Sequence, residues 1–142
     1  MKIAKALKQK NKLVAELKQL RDRLEEYNAV IKGNPRPYDM ATLQRDTYAK
    51  MQELVRLKTQ IAQANNNVYD KIFELSELKG LVQFYKRLTI KDGIISDRYG
   101  EGTLQYEAVL KPNERDALVA ELEVRIELLQ DELDEFNTIT EL

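Results

Sequence analysis

The chain has no cysteine and no histidine, and only three prolines and five glycines among its 142 residues. Without cysteine there is no disulfide framework and no thiolate chemistry. Losing histidine as well removes the commonest general base, the usual zinc ligands and the inward Glu-x-x-His pairs of di-iron bundles. Ser76 and Ser96 have no imidazole to activate them. Gly100-Glu101-Gly102 lacks the third glycine and the strand–helix context of a dinucleotide fingerprint, and no Gly-Lys-Ser/Thr triplet occurs. The sequence therefore predicts no cofactor, no catalytic residue and no thiolate- or imidazole-bound metal.

Long apolar runs are missing too. The densest cluster, residues 81–85, is broken by Gln83 and flanked by Lys79 and Lys86, far short of the ~20 apolar residues a spanning helix needs. Residues 1–8 lack the apolar centre of a signal peptide, so the expectation is a cytoplasmic protein without a membrane partner. Charge of one sign is also lacking. Lys and Arg number 23 against 24 Asp and Glu, a net charge of −1, which gives no global pull toward nucleic acid.

What remains is periodicity. In residues 113–137, Val119, Ile126 and Leu133 repeat every seven residues, and Leu122, Leu129 and Phe136 repeat three residues later. This spacing places one apolar seam along one side of a helix. The first 32 residues carry a similar pair of series: Ile3, Leu17, Leu24 and Ile31, and Ala6, Leu13, Leu20 and Tyr27, with Leu7 and Val14 widening the face. Lys10 interrupts the first series, either fixing register or snorkelling outward, the latter being the plainer reading.

Gly33, Pro35 and Pro37 stop that helix, and Asp39 is placed to cap the next. Asn65-Asn66-Asn67 reads as a tight link. In the third helix Ile72, Phe73, Leu75, Leu78, Leu81, Val82, Phe84, Tyr85 and Leu88 cover most of the circumference, the mark of a helix buried on more than one side or set in an interface. Gly80 within it costs ~1 kcal/mol relative to Ala, which close helix approach or plain tolerance would explain. Residues 91–111 have no helical period. Leu104, Tyr106, Ala108 and Leu110 alternate as in a half-buried strand, and Pro112 suits a helix start.

The expectation is a single, mainly α domain: an antiparallel up-down-up-down bundle of helices at about 2–32, 39–64, 68–89 and 112–137, with a small β-hairpin at about 93–110. Phe73, Leu81, Phe84, Val124 and Leu128 are the expected oligomer interface, because one four-helix unit has difficulty hiding all of them. Charge is arranged end to end. Lys2, Lys5, Lys8, Lys10 and Lys12 face no acid within residues 1–12, while residues 113–142 hold ten acids against Arg115 and Arg125. In an up-down-up-down bundle these blocks meet, and each is on the unfavourable side of its own helix dipole. Pairing of Lys2, Lys5, Lys8 and Lys12 with Asp131, Asp134 and Glu135 is therefore expected in preference to nucleic-acid binding. A hard cation on Glu127, Asp131, Asp134 and Glu135 is the weaker reading of that acidic face, for no cation-binding loop accompanies it.

Several short stretches in order are similar to the septicolysin-like family of small bacterial proteins: residues 1–7, Leu24, Asn28-Ala29-Val30, Gly33, Pro35, Asp39, Ile61, Asn65-Asn66, Arg98-Tyr99 and residues 137–142. The link after the second helix is shorter than that family's pattern, and the tryptophan expected beside Asn137 is absent. The resemblance implies a helical, oligomeric protein without an assigned activity; the haemolysin in the family's name brings no residue-level mechanism. The function expected is a non-catalytic, self-associating scaffold or adaptor. The alternatives are a prefoldin-like holdase, whose hairpin between long helices would expose apolar tips, and a nucleic-acid or ribosome binder using the first helix.

Overall fold

The computed structural model describes residues 1–96 and 102–142. Arg98-Tyr99 and most of the expected Gly100-Glu101-Gly102 turn lie outside the described residues. Among the described residues the fold is mainly α, with four α-helices and a two-stranded antiparallel sheet between the third and fourth. Contacts cluster into two compact units: residues 1–67 with 134–142, and residues 68–133.

In the first unit α1 spans Ile3–Tyr27 and α2 spans Met40–Ala64. They pack through Ala6, Leu13 and Leu17 on α1 and Leu54, Leu57 and Ile61 on α2, with Leu7 and Met51 at the margin. Leu13 is wholly buried, as the heptad series requires. Lys10, at the interrupted position, is half-buried. Asp39 caps α2 as expected: its carboxylate accepts from the Ala41 N–H at 3.3 Å and from the Thr42 hydroxyl at 2.6 Å. These bonds, the Thr42 hydroxyl's first, hold the Asp39 carboxyl below its usual range. A single 3-10 turn, Asn65–Asn67, follows α2.

Helix α1 ends five residues before the expected 32, and Ile31 is 77% exposed rather than in the seam. The cause is a side-chain cap. Arg36 donates from Nε to the Tyr27 carbonyl at 2.9 Å and from Nη2 to the Asn28 carbonyl at 3.1 Å. Carbonyls at a helix end have no partner in the helix, and a guanidinium there also suits the dipole. Tyr38 closes the turn, its ring 5.6 Å from that of Tyr27 and beneath the Arg23 guanidinium at 4.7 Å. Gly33 adopts φ +93° inside this turn, not directly after the helix.

The N-terminus of α1 has no side-chain cap and no acid in its first turn. The returning tail of α4 supplies the partners. The Ile3 N–H donates to the Thr140 carbonyl and the Leu142 N–H to the Met1 carbonyl, around an antiparallel bridge between Lys2 and Glu141. Ile3 is wholly buried.

In the second unit α3 spans Tyr69–Arg87, β1 spans Gly93–Ser96 and β2 spans Thr103–Tyr106. Helix α4, Pro112–Ile139, begins here and runs on into the first unit. Three ion pairs join α3 to α4: Lys71–Glu132, Glu74–Arg125 and Lys86–Glu123. Partner numbers fall along α4 as they rise from Lys71 to Lys86, so the two helices are antiparallel. The six residues of the α4 seam are all buried or half-buried. The strands pair Gly93 with Tyr106 and Ile95 with Leu104. The second strand stops at Tyr106, short of the expected 110, because the Ala108 N–H turns to the Asp92 carboxylate at 3.1 Å. Lys111 reaches the same carboxylate at 2.9 Å, and chiefly this contact keeps the Asp92 carboxyl below its usual range.

Candidate self-association surface

Helix α3 buries only one side within the chain. Leu75 and Val82 are buried and Ile72, Leu78 and Tyr85 half-buried. At 3.6 residues per turn, Phe73 and Phe84 lie about half a turn from the Leu75–Val82 line. Phe73 is 62% exposed and Phe84 53%. Tyr69 stacks on Phe73 with ring centres 5.6 Å apart, and Tyr85 meets Phe84 edge-on at 5.3 Å. Leu81 is exposed on the flank of the same surface. On α4, Val124 and Leu128 are one turn apart, both more than half exposed and turned from the buried seam. All five expected interface residues are thus on the surface of the second unit. Large apolar groups grouped on helix faces mark a contact site more often than scattered ones do.

The charged residues are placed differently from one another. Lys2 meets the C-terminal tail, with Nζ 3.0 Å from the Glu141 carboxylate and 2.9 Å from the Ile139 carbonyl. The N-terminal ammonium lies 2.7 Å from the other oxygen of Glu141. That ammonium, then Lys2, holds the Glu141 carboxyl below its ordinary value. Glu141 was not among the candidate acids; its spacing from the apolar seam carries no sign of the role. Lys12 faces Glu16 of its own helix at 3.9 Å, and Glu16 is held by Lys50 of α2 at 2.9 Å. Chiefly the Lys50 contact keeps the Glu16 carboxyl low. Lys5, Lys8, Asp131, Asp134 and Glu135 are exposed, and the Asp134 carbonyl accepts from the Thr138 hydroxyl at 2.8 Å.

The α3–α4 ion pairs also escaped the sequence reading. Arg125 donates from Nε and Nη2 to the two carboxylate oxygens of Glu74, at 3.0 and 3.1 Å. Opposite signs on two predicted helices were the available signal, but register is needed to match them. Among the described residues no group of acids is arranged to hold a metal ion. Among the described residues are open grooves, one along α1 lined by Lys12, Glu16 and Asp22 and one at the hairpin lined by Asp92, Gln105 and Glu107. No helix among the described residues is long and apolar enough to cross a membrane. Comparison of the chain with protein-family models, with curated proteins and with solved structures gives no match in any of the three.

Proposed function

We propose that the protein is a non-catalytic cytoplasmic scaffold or adaptor that acts by associating with copies of itself. The observation behind this reading is the exposure of Phe73 and Phe84 on α3 together with Val124 and Leu128 on α4. The absence of histidine and cysteine supports the non-catalytic part. Kinship with the septicolysin-like family belongs to the proposal as an oligomeric relative, without the haemolysin of its name. The lysines of α1 serve register rather than nucleic-acid binding; Lys2 and Lys12 already have carboxylate partners within the chain.

Light scattering across the micromolar range tests the reading. A species larger than one chain is expected, and Phe84→Asp should return it to monomer with helicity retained. A monomer throughout would refute it. The hairpin supports a second reading, as a holdase. Ile94 and Leu104 on its strands are 71% and 60% exposed, and Val109 just after them is 97% exposed. Suppression of a client's aggregation that is lost in Ile94→Ser/Leu104→Ser, with self-association unchanged, would favour that reading instead.

A further inference from the structure

The outer side of α3 carries a pattern that its polar members hide. Asp70, Phe73, Glu77, Gly80, Phe84 and Arg87 alternate by three and four residues, the spacing of a two-stranded coiled-coil seam. All six are exposed, on the side away from Leu75 and Val82. The seam is also nearly self-complementary. Turned end for end about the midpoint between Leu78 and Lys79, it brings Phe73 to Phe84, Asp70 to Arg87 and Glu77 to Gly80.

From this we infer that α3 pairs antiparallel with α3 of a second copy of the chain, across a two-fold axis at the Glu77–Gly80 layer. The inference rests on the reading of the protein as self-associating and names the face and the geometry. An isologous contact requires that residue i meet j while j meets i, and the six seam positions satisfy this. Charge decides the direction. Side by side in parallel, the seam would set Asp70 on Asp70, Glu77 on Glu77 and Arg87 on Arg87, which like-charge repulsion opposes. Antiparallel, each end layer becomes an Asp–Arg pair and the helix dipoles oppose. Arg87 is exposed at the end of the seam, its Nε donating to the Gln83 carbonyl at 3.3 Å.

Gly80 is the second observation. A methyl group built on it meets nothing within 4 Å, and its backbone is not in the left-handed region. Neither packing nor backbone conformation within the chain requires glycine there. Opposite Glu77 of the partner copy, the missing side chain leaves room for the glutamate to lie across the seam between the two Phe73–Phe84 layers.

The absence of native cysteine makes the test clean. Asp70→Cys and Arg87→Cys chains are treated with a short bis-maleimide, separately and as an equimolar mixture, with light scattering on each. Both sites are exposed, so folding is not at stake. In the antiparallel pair, cysteines at position 70 of the two copies lie 17 residues apart along the axis, about 25 Å. Covalent dimer is therefore expected in the mixture and in neither chain alone. Cross-linking of each chain with itself would show a parallel pair and overturn the inference. An oligomer with no cross-link in any sample would overturn it too, while leaving self-association standing on another face. A monomer in every sample would refute both.

Discussion

Replacing Phe84 by alanine removes one of the two exposed phenylalanines that the α3 contact would cover. Phe84 is 53% exposed, so about 100 Å² of a side chain of about 200 Å² is available for burial. At ~25 cal/mol per Å², covering it contributes about 2.5 kcal/mol. Alanine retains a small part, leaving a loss of about 2 kcal/mol per chain. A two-fold contact counts every substitution twice, so the dimer loses about 4 kcal/mol, roughly a thousandfold in Kd. Sedimentation equilibrium of wild type and Phe84→Ala over a wide concentration range measures this directly. Val55 on α2 is the control: it is equally exposed, at 53%, but belongs to the first unit, and Val55→Ala should leave Kd unchanged. A shift below about tenfold for Phe84→Ala, or an equal shift for Val55→Ala, would refute the reasoning that exposed apolar area on α3 drives assembly.

Leu13→Ala should cost about 2–5 kcal/mol in a urea titration, because Leu13 is wholly buried, whereas Val14→Ala, at a site 46% exposed, should cost far less. Glu141 is held below the ordinary glutamate range, first by the N-terminal ammonium and then by Lys2, so its pairing stabilises the fold at neutral pH and the contribution fades as pH falls through that range and below. Glu141→Gln should lower the urea midpoint at neutral pH, and the gap from wild type should close at acid pH. Arg36→Ala removes the cap on the Tyr27 and Asn28 carbonyls and should speed amide exchange in the last turn of α1, leaving α2 unchanged. Asp70→Arg should weaken the dimer by up to about thirtyfold, since two exposed pairs are lost and each contributes at most ~1 kcal/mol, and adding Arg87→Asp should restore it, as read by sedimentation.

Most of the fold was legible because local signals agreed with it. Asp39 and Pro112 mark helix starts, and the apolar period of α4 survives as a buried or half-buried seam from Val119 to Phe136. The end of α1 was misplaced because Ile31 continues the heptad numerically, while the stop comes from Arg36, nine residues beyond the Tyr27 carbonyl it caps. The tail pairing at Lys2–Glu141 is a backbone contact between distant residues, and no periodicity announces it. At α3 the sequence showed apolar residues all round but not which of them the chain itself covers. Phe73 and Leu75 differ by two positions and by opposite fates. The seam on the outer side was hidden because four of its six residues are Asp, Glu, Gly and Arg, which hydrophobic pattern alone does not register.

The order in which the chain is synthesised gives the tail pairing a further consequence. The first unit is interrupted in sequence: it is left at residue 67 and resumed at 134. Helices α1 and α2 can zip together as soon as both have emerged, since only residues 28–39 separate them. The Met1–Glu141 contact, by contrast, spans 140 residues. At roughly 5–20 residues per second, the earliest-made end of α1 waits on the order of seconds for the tail that supplies its missing partners. During that interval the Ile3 N–H lacks its Thr140 partner. A nascent chain arrested before residue 134 should therefore carry a formed α1–α2 hairpin with a frayed first turn, and the emergence of residues 134–142 is what closes it.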